Sequence, residues 1–125
     1  MADSLIDSNV LVDLLRDFEP AKRWIATQTN PAVSRIVRLE IIEGARNQRD
    51  LRRTLRLLGD FDLVELTTAD LEWATQQLIR YRLSHNIGMM DCLIAAPASR
   101  LGLPLFTHNL KHFTPLLGPL AAKPY

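Results

Sequence analysis

The sequence predicts an α/β fold in which helices cover both faces of a mainly parallel sheet. Three observations lead there. Short β-type runs alternate with longer stretches of helical periodicity. The runs lie too far apart for hairpins, so neighbouring strands require crossover helices. No repeat or low-complexity linker divides the 125 residues, so one domain over 1–125 is expected.

The elements follow in order. Ala2 to Ile6 is short and apolar enough for a first strand. Ser8 offers a cap for a helix with Val10, Leu11, Leu14, Leu15 and Phe18 on one face. Pro20 suits the first turn of a second helix anchored by Trp24 and Ile25. Pro31 to Arg35 reads as a brief second strand. Helical patterns then cover Ile36 to Ala45 and Gln48 to Leu58, the latter closed by Gly59. Asp62 to Leu66 is the third strand candidate.

Thr67 and Thr68, with Asp70 and Glu72 after them, open a long helix whose stripe is Leu71, Ala74, Leu78, Tyr81 and Leu83. Met89 to Leu101 gives another helix, stopped by Gly102. Pro97 inside it predicts a kink or an early end, since proline removes a hydrogen bond there. Leu103 to Thr107 forms a further strand, and the Pro/Gly-rich tail after Phe113 leaves room for a weak edge strand.

Bulk composition narrows the function. A hydrophobic share of 47% and a charged share of 23% are ordinary for a globular chain. The net charge of +1 excludes a bulk polycation, so any nucleic-acid contact must rest on a local patch. The N-terminus has no basic region followed by a long apolar stretch, and no segment suits a membrane span. Cys92 is alone, which excludes an intramolecular disulfide and reads as a small buried residue. A cytoplasmic location is the simplest expectation.

Four apolar runs each lead to an oxygen-bearing side chain: Asp7, Glu40, Asp91 and Asn109. Strand ends and first helical turns meet at one edge of an open parallel sheet, so these side chains can converge on a divalent cation. Each acid also has a plain structural reading, as a helix cap, a dipole partner or part of a solvated face. Their apolar neighbours weigh against it, because a carboxylate among Leu, Ile and Met is costly unless paired or metal-bound.

These residues carry a family resemblance. Ile6-Asp7-Ser8-Asn9-Val10-Leu11 is similar to the opening of a PIN-domain nuclease. The stretch from Arg38 through Glu40 and Glu43 to Ala45 resembles the second acidic motif of that family. Asp91 to Ala96 resembles the third, and Leu105 to Phe113 the last. Length and motif wording are closest to VapC, the toxin of the VapBC toxin–antitoxin systems.

The resemblance implies a PIN-like three-layer sandwich and a Mg²⁺- or Mn²⁺-dependent endoribonuclease, the toxin of a type II system. Carried over, Asp7, Glu40 and Asp91 would be metal ligands. Asn109 would be a neutral catalytic helper where many relatives have a fourth acid, which favours one well-held ion over two. Ser8 and Thr107 would support the site. RNA as substrate, a VapB-like antitoxin and a homodimer are implied in the same way. Leu11, Leu14 and Leu15 could serve either core or subunit contact.

Arg49, Arg52, Arg53 and Arg56 recur on one helical face opposite Leu51, Leu55 and Leu58, with Arg46 leading towards Glu43. This is a solvated face, an RNA-phosphate contact or an antitoxin contact. His108 and His112 read as loop surface, although one of them could shuttle protons. Met89 and Met90 read as core or rim packing, and Trp24 and Trp73 as core or subunit contacts, with base stacking open to both.

Two other functions compete. A phosphoacceptor receiver domain needs an aspartate at the end of a central strand, and Val64-Glu65-Leu66-Thr67 has none. A catalytically silent PIN-like module that only binds RNA or protein is kept open by the missing charge at Asn109.

Overall fold

The computed structural model describes residues 1–125. Five strands, β1 (Ser4–Ile6), β2 (Pro31–Ser34), β3 (Asp62–Val64), β4 (Leu105–Phe106) and β5 (Ala121–Ala122), form one sheet. The order is β3-β2-β1-β4-β5 and every pairing is parallel. β1 is central and each of its residues is buried, as expected of a strand covered on both faces. Leu5 stands opposite Ala32 on one side and Leu105 on the other.

Seven helices connect the strands: α1 (Ser8–Leu15), α2 (Glu19–Ile25), α3 (Arg35–Glu43), α4 (Gln48–Leu58), α5 (Thr68–His85), α6 (Met89–Leu101) and α7 (Leu110–Leu117). From β1 the chain adds strands outward to β3, then crosses back to β4 and continues to β5. Right-handed crossovers therefore place α1–α4 on one face and α5–α7 on the other. The α/β sandwich predicted from sequence is the fold observed. Leu5, Ile6, Val10, Leu11, Val37, Leu58, Ile87, Leu105 and Phe113 lie in its buried core. No helix is long and apolar enough to cross a membrane.

The local expectations are corrected in several places. Asp7, not Ser8, caps α1, because its carboxylate accepts the Ser8 N–H. Phe18 lies beyond α1 and is half exposed. α6 runs through Pro97 without ending; the proline is buried there. The α5 stripe is broken, since Ala74 is buried while Leu71 and Leu83 face solvent. On α4, Thr54 and Leu58 are buried and Leu55 is exposed. The tail contributes the expected edge strand β5, but the eight-residue α7 precedes it. Cys92 is buried, as read from sequence.

One ion pair fixes the second helical face. The Arg100 guanidinium on α6 donates to both oxygens of Asp70 on α5, at 2.8 and 3.1 Å, and its Nη2 also donates to the Glu65 carbonyl. Asp70 closes a capping box with Thr67, which begins α5. Burial pushes the Asp70 pKa up, but Arg100 and the Thr67 N–H outweigh it and hold the group below its ordinary value. A depressed carboxylate stabilises fully above its unfolded pKa and loses that contribution as pH falls through the folded value. Asp70→Asn is therefore expected to cost about 2 kcal/mol in urea melts at pH 7. The gap to wild type should shrink steadily below pH ~4, where the unfolded group protonates.

Candidate active site

The strand order reverses between β1 and β4, and side chains following two adjacent parallel strands meet in the crevice at such a point. Asp7 follows β1 and Thr107 follows β4. The Thr107 hydroxyl donates to Asp7 Oδ2 at 2.7 Å, across a sequence separation of 100 residues. Asp7 is 4% exposed and is met by four donors. Oδ1 accepts the Ser8 N–H at 2.8 Å and its hydroxyl at 3.4 Å; Oδ2 accepts Thr107 and the Asn9 amide, the latter at 3.3 Å.

The other two acids come from opposite faces of the sheet. Ser34 caps α3 after β2, and Glu40 lies a turn and a half further along that helix. Its Oε1 is buried with no hydrogen-bond partner. Asp91 lies in the first turn of α6, where its Oδ2 accepts the Gly88 N–H at 3.2 Å. His112, on α7, places Nδ1 3.1 Å from the same oxygen.

The three carboxylates feel one another. Burial raises the pKa of Asp7 most; the donors from Thr107 and Ser8 oppose it and repulsion from Asp91 adds to it. Burial also leads for Glu40, followed by repulsion from Asp7; the Ser8 hydroxyl opposes them, and Asp91 and Glu43 add smaller repulsions. Both acids are thus held above their ordinary values, first by burial and then by neighbouring negative charge.

The sequence candidates divide as follows. Asp7, Glu40, Asp91, Ser8 and Thr107 are brought together. Asn109 faces away from direct acid chemistry: its N–H donates to Thr107 Oγ1 at 3.0 Å, and its amide lies 3.2 Å from His112 Nδ1. Of the arginines, Arg46 and Arg53 join Arg16 around a cleft of about 390 Å³ between α1, α3 and α4, with Glu40 in its wall. Arg53 is held by the Leu15 carbonyl at 2.7 Å, and Arg46 by Asp50 at 3.3 Å. Arg56 lies on a smaller adjoining cleft. Arg49 and Arg52 are exposed and line neither cleft.

Sequence reasoning leaves His112 on loop surface, with a proton-shuttle role open to it or His108, and misses Arg16. His112 was assigned to a loop because α7 went unrecognised; once that helix exists, the imidazole three residues after Asn109 lies on the same helical face. Arg16 ends α1 and carried no motif signal.

Acidic side chains gathered at the switch point of a parallel α/β sheet fit the PIN-like class of fold. The PIN domain family model matches residues 4–113. Ribonuclease VapC10 of Mycobacterium tuberculosis is 39% identical over 113 residues, 87% of this chain and 84% of that protein. Ribonuclease VapC19 of the same species is 34% identical over 115 residues, covering 87% and 90%. Among solved structures, a toxin–antitoxin complex from Klebsiella pneumoniae superposes with a TM-score of 0.82 at 27% identity, covering 98% of each chain. VapBC-1 from nontypeable Haemophilus influenzae gives 0.74 at 23%, covering 90% and 91%, and supports the fold. The chain belongs to the PIN-domain family, and to the VapC group within it.

The raised acids make a stability prediction. A carboxylate with a raised folded pKa destabilises the ionised protein, and the penalty fades as pH falls to its unfolded value. Glu40→Gln in EDTA is expected to raise Tm at pH 7 by roughly 3 °C. At pH ~4, where glutamate and glutamine become alike, the gain should vanish.

Proposed function

We propose that this protein is a Mg²⁺- or Mn²⁺-dependent endoribonuclease, the toxin of a type II toxin–antitoxin pair acting in the cytoplasm as a single PIN-like domain. The observation that carries the reading is the buried, unpartnered Oε1 of Glu40 in a cluster with Asp7 and Asp91. An orphaned buried carboxylate oxygen is costly, and a cation removes that cost. The names of the relatives support the RNA substrate and the toxin role.

Asp7, Glu40 and Asp91 are the residues that would hold the ion, although no three acidic, His or Cys side chains are preset as a cage. Mg²⁺ suits such a site, since it keeps several waters and takes few direct carboxylates. When bound, it supplies Lewis-acid polarisation of the scissile phosphate and a water of lowered pKa. Glu40 Oε1 and Asp91 Oδ1 accept no hydrogen bond from the protein. Asp7 would ligate by giving up its two longest contacts, to the Ser8 hydroxyl and Asn9.

The remaining residues orient and move protons. Thr107 and Ser8 fix the Asp7 carboxylate. His112 Nδ1, when it carries a proton, can donate it to Asp91 Oδ2. A single ring nitrogen cannot donate to Asp91 and accept from Asn109 at once, so carboxylate and amide compete for it. Asn109 thereby acts as the catalytic helper, setting the imidazole rather than binding metal.

Partners follow from two surfaces. The cleft with Arg16, Arg46 and Arg53 offers cations beside Glu40 for RNA phosphates, and its apolar wall of Val12, Leu15 and Ile41 suits a segment of a VapB-like antitoxin. For the homodimer we favour α5, because Leu11 is fully buried and Leu14 and Leu15 pack on the core. Leu71, Ile79 and Leu83, by contrast, repeat at helical spacing and are exposed.

Cleavage of an RNA panel with Mg²⁺ or Mn²⁺ tests the activity. Asp7→Asn is expected to lower cleavage by roughly a hundredfold or more, and EDTA to abolish it. Equal cleavage by wild type and variant would indicate a contaminating nuclease and sink the assignment. Divalent metal should raise Tm, and Asp91→Asn should blunt that rise. A folded wild type that binds RNA but cuts none would favour the silent-module reading. For the dimer, the Ile79→Glu/Leu83→Glu double variant should elute with the mass of one chain where wild type elutes with that of two; unchanged elution would place the contact elsewhere.

A further inference from the structure

The acidic cluster and its arginine-rimmed cleft occupy one side of the switch point. The other side carries aromatic rings that the mechanism above does not use. Because all strands are parallel, the residues after β4 and after β5 emerge at the same sheet edge as Asp7. They are Thr107-His108-Asn109 and Lys123-Pro124-Tyr125.

Tyr125 is the hub of this group. Its ring centroid lies 4.6 Å from His108, 6.0 Å from Trp24 and 6.1 Å from Phe18, all tilted or edge-on. Its hydroxyl donates to Asp13 Oδ2 on α1 at 2.6 Å, which fixes the ring. Trp24 also meets Phe106 edge-on at 4.9 Å, and both rings pack against the core. Phe18 has no such explanation. Phe18 is 47% exposed, on a turn where Asp17 takes a left-handed φ of 57°. His108 is exposed as a whole residue, although its side chain is 30% exposed, with Nε2 3.9 Å from Asp13 Oδ2.

The group is also wired to the acids. The His108 N–H donates to Asn9 Oδ1 at 3.4 Å, and the Asn9 amide donates to Asp7 Oδ2 at 3.3 Å. His108 is the direct chain neighbour of Asn109. An exposed, pre-oriented aromatic surface beside a phosphodiester-cutting site is suited to the π-face of an unpaired base. It supplies affinity where the arginine side supplies charge.

We propose that Phe18, His108 and Tyr125 form a stacking platform for an unpaired base of the RNA, next to the cleaved phosphodiester. The platform rests on the ribonuclease reading and adds the substrate feature that reading lacks: an unstacked nucleotide beside the cut. Asp13 acts as a positioning residue, holding the Tyr125 ring.

The test uses an RNA that the wild-type protein cuts in the panel, resynthesised with an abasic nucleotide on either side of the mapped cut. In wild type, one of the two abasic RNAs should show KM raised about tenfold, the loss of one stacked base. In Phe18→Ala and His108→Ala, the same abasic change should cost less than twofold, because the platform is already lost. Phe18→Tyr, which keeps a ring, should restore the full penalty. No penalty in wild type at either position, or one that keeps its size in both alanine variants, overturns the platform. A wild type that cuts no RNA overturns the ribonuclease reading instead.

Discussion

Everything at the candidate site depends on one hydrogen bond, the donation from Thr107 to Asp7 at 2.7 Å. It joins the ends of two neighbouring strands where the sheet order reverses, so it is both a topological seam and the first support of the acid cluster. Thr107 Oγ1 also accepts from the Asn109 N–H, which begins the turn into α7 and so sets where His112 falls. Asp7 in turn starts α1 by accepting the Ser8 N–H. One buried hydroxyl thus ties together β1, β4, α1 and α7. A change there would be felt by the fold and by the chemistry at the same time.

That seam explains how three mutually repelling carboxylates persist in one place. Asp7 is neutralised in part by four donors, and Asp91 by the Gly88 N–H and His112. Glu40 alone keeps a bare buried oxygen. The strain is concentrated on a helical residue, in α3, that approaches from the opposite face to Asp91. The rest of the structure can bear it because the second face is fixed elsewhere, by the Asp70–Arg100 pair between α5 and α6. Sites of this kind trade stability for readiness, and the opposing anchor is what makes the trade tolerable.

How much of this was legible from the residues depends on the range of the signal. Asp7, Glu40 and Asp91 could be found because each follows an apolar run, and a parallel sheet sends such positions to one edge. The Asp70–Thr67 cap was legible for a similar reason, being local chemistry over three residues. α7 was not, because Pro115 and the flanking Gly118 read as breakers while Leu116 and Leu117 supply only a short apolar face. With the helix missed, His112 had no reason to face Asp91. Pro97 misled in the opposite direction: local propensity argued for a break, and burial of the whole Ile94–Ala98 stretch overrode it.

The two sides of the switch point were legible to different degrees, and the contrast is physical. An arginine stripe is visible as a period on one helix, yet of that stripe only Arg53 reaches the cleft beside Glu40, joined by Arg46 from the preceding loop, because α4 turns Thr54 and Leu58 inward. The aromatic side has no period at all. Phe18, Trp24, Phe106, His108 and Tyr125 come from four separate segments and meet only through the sheet order. Sequence spacing can report which face of an element is charged, but not which elements the sheet order makes neighbours. Here that order places cations on the β2 side of the acids and rings on the β5 side. A polyanion with bases can span such an edge with its phosphates towards one flank and a base towards the other.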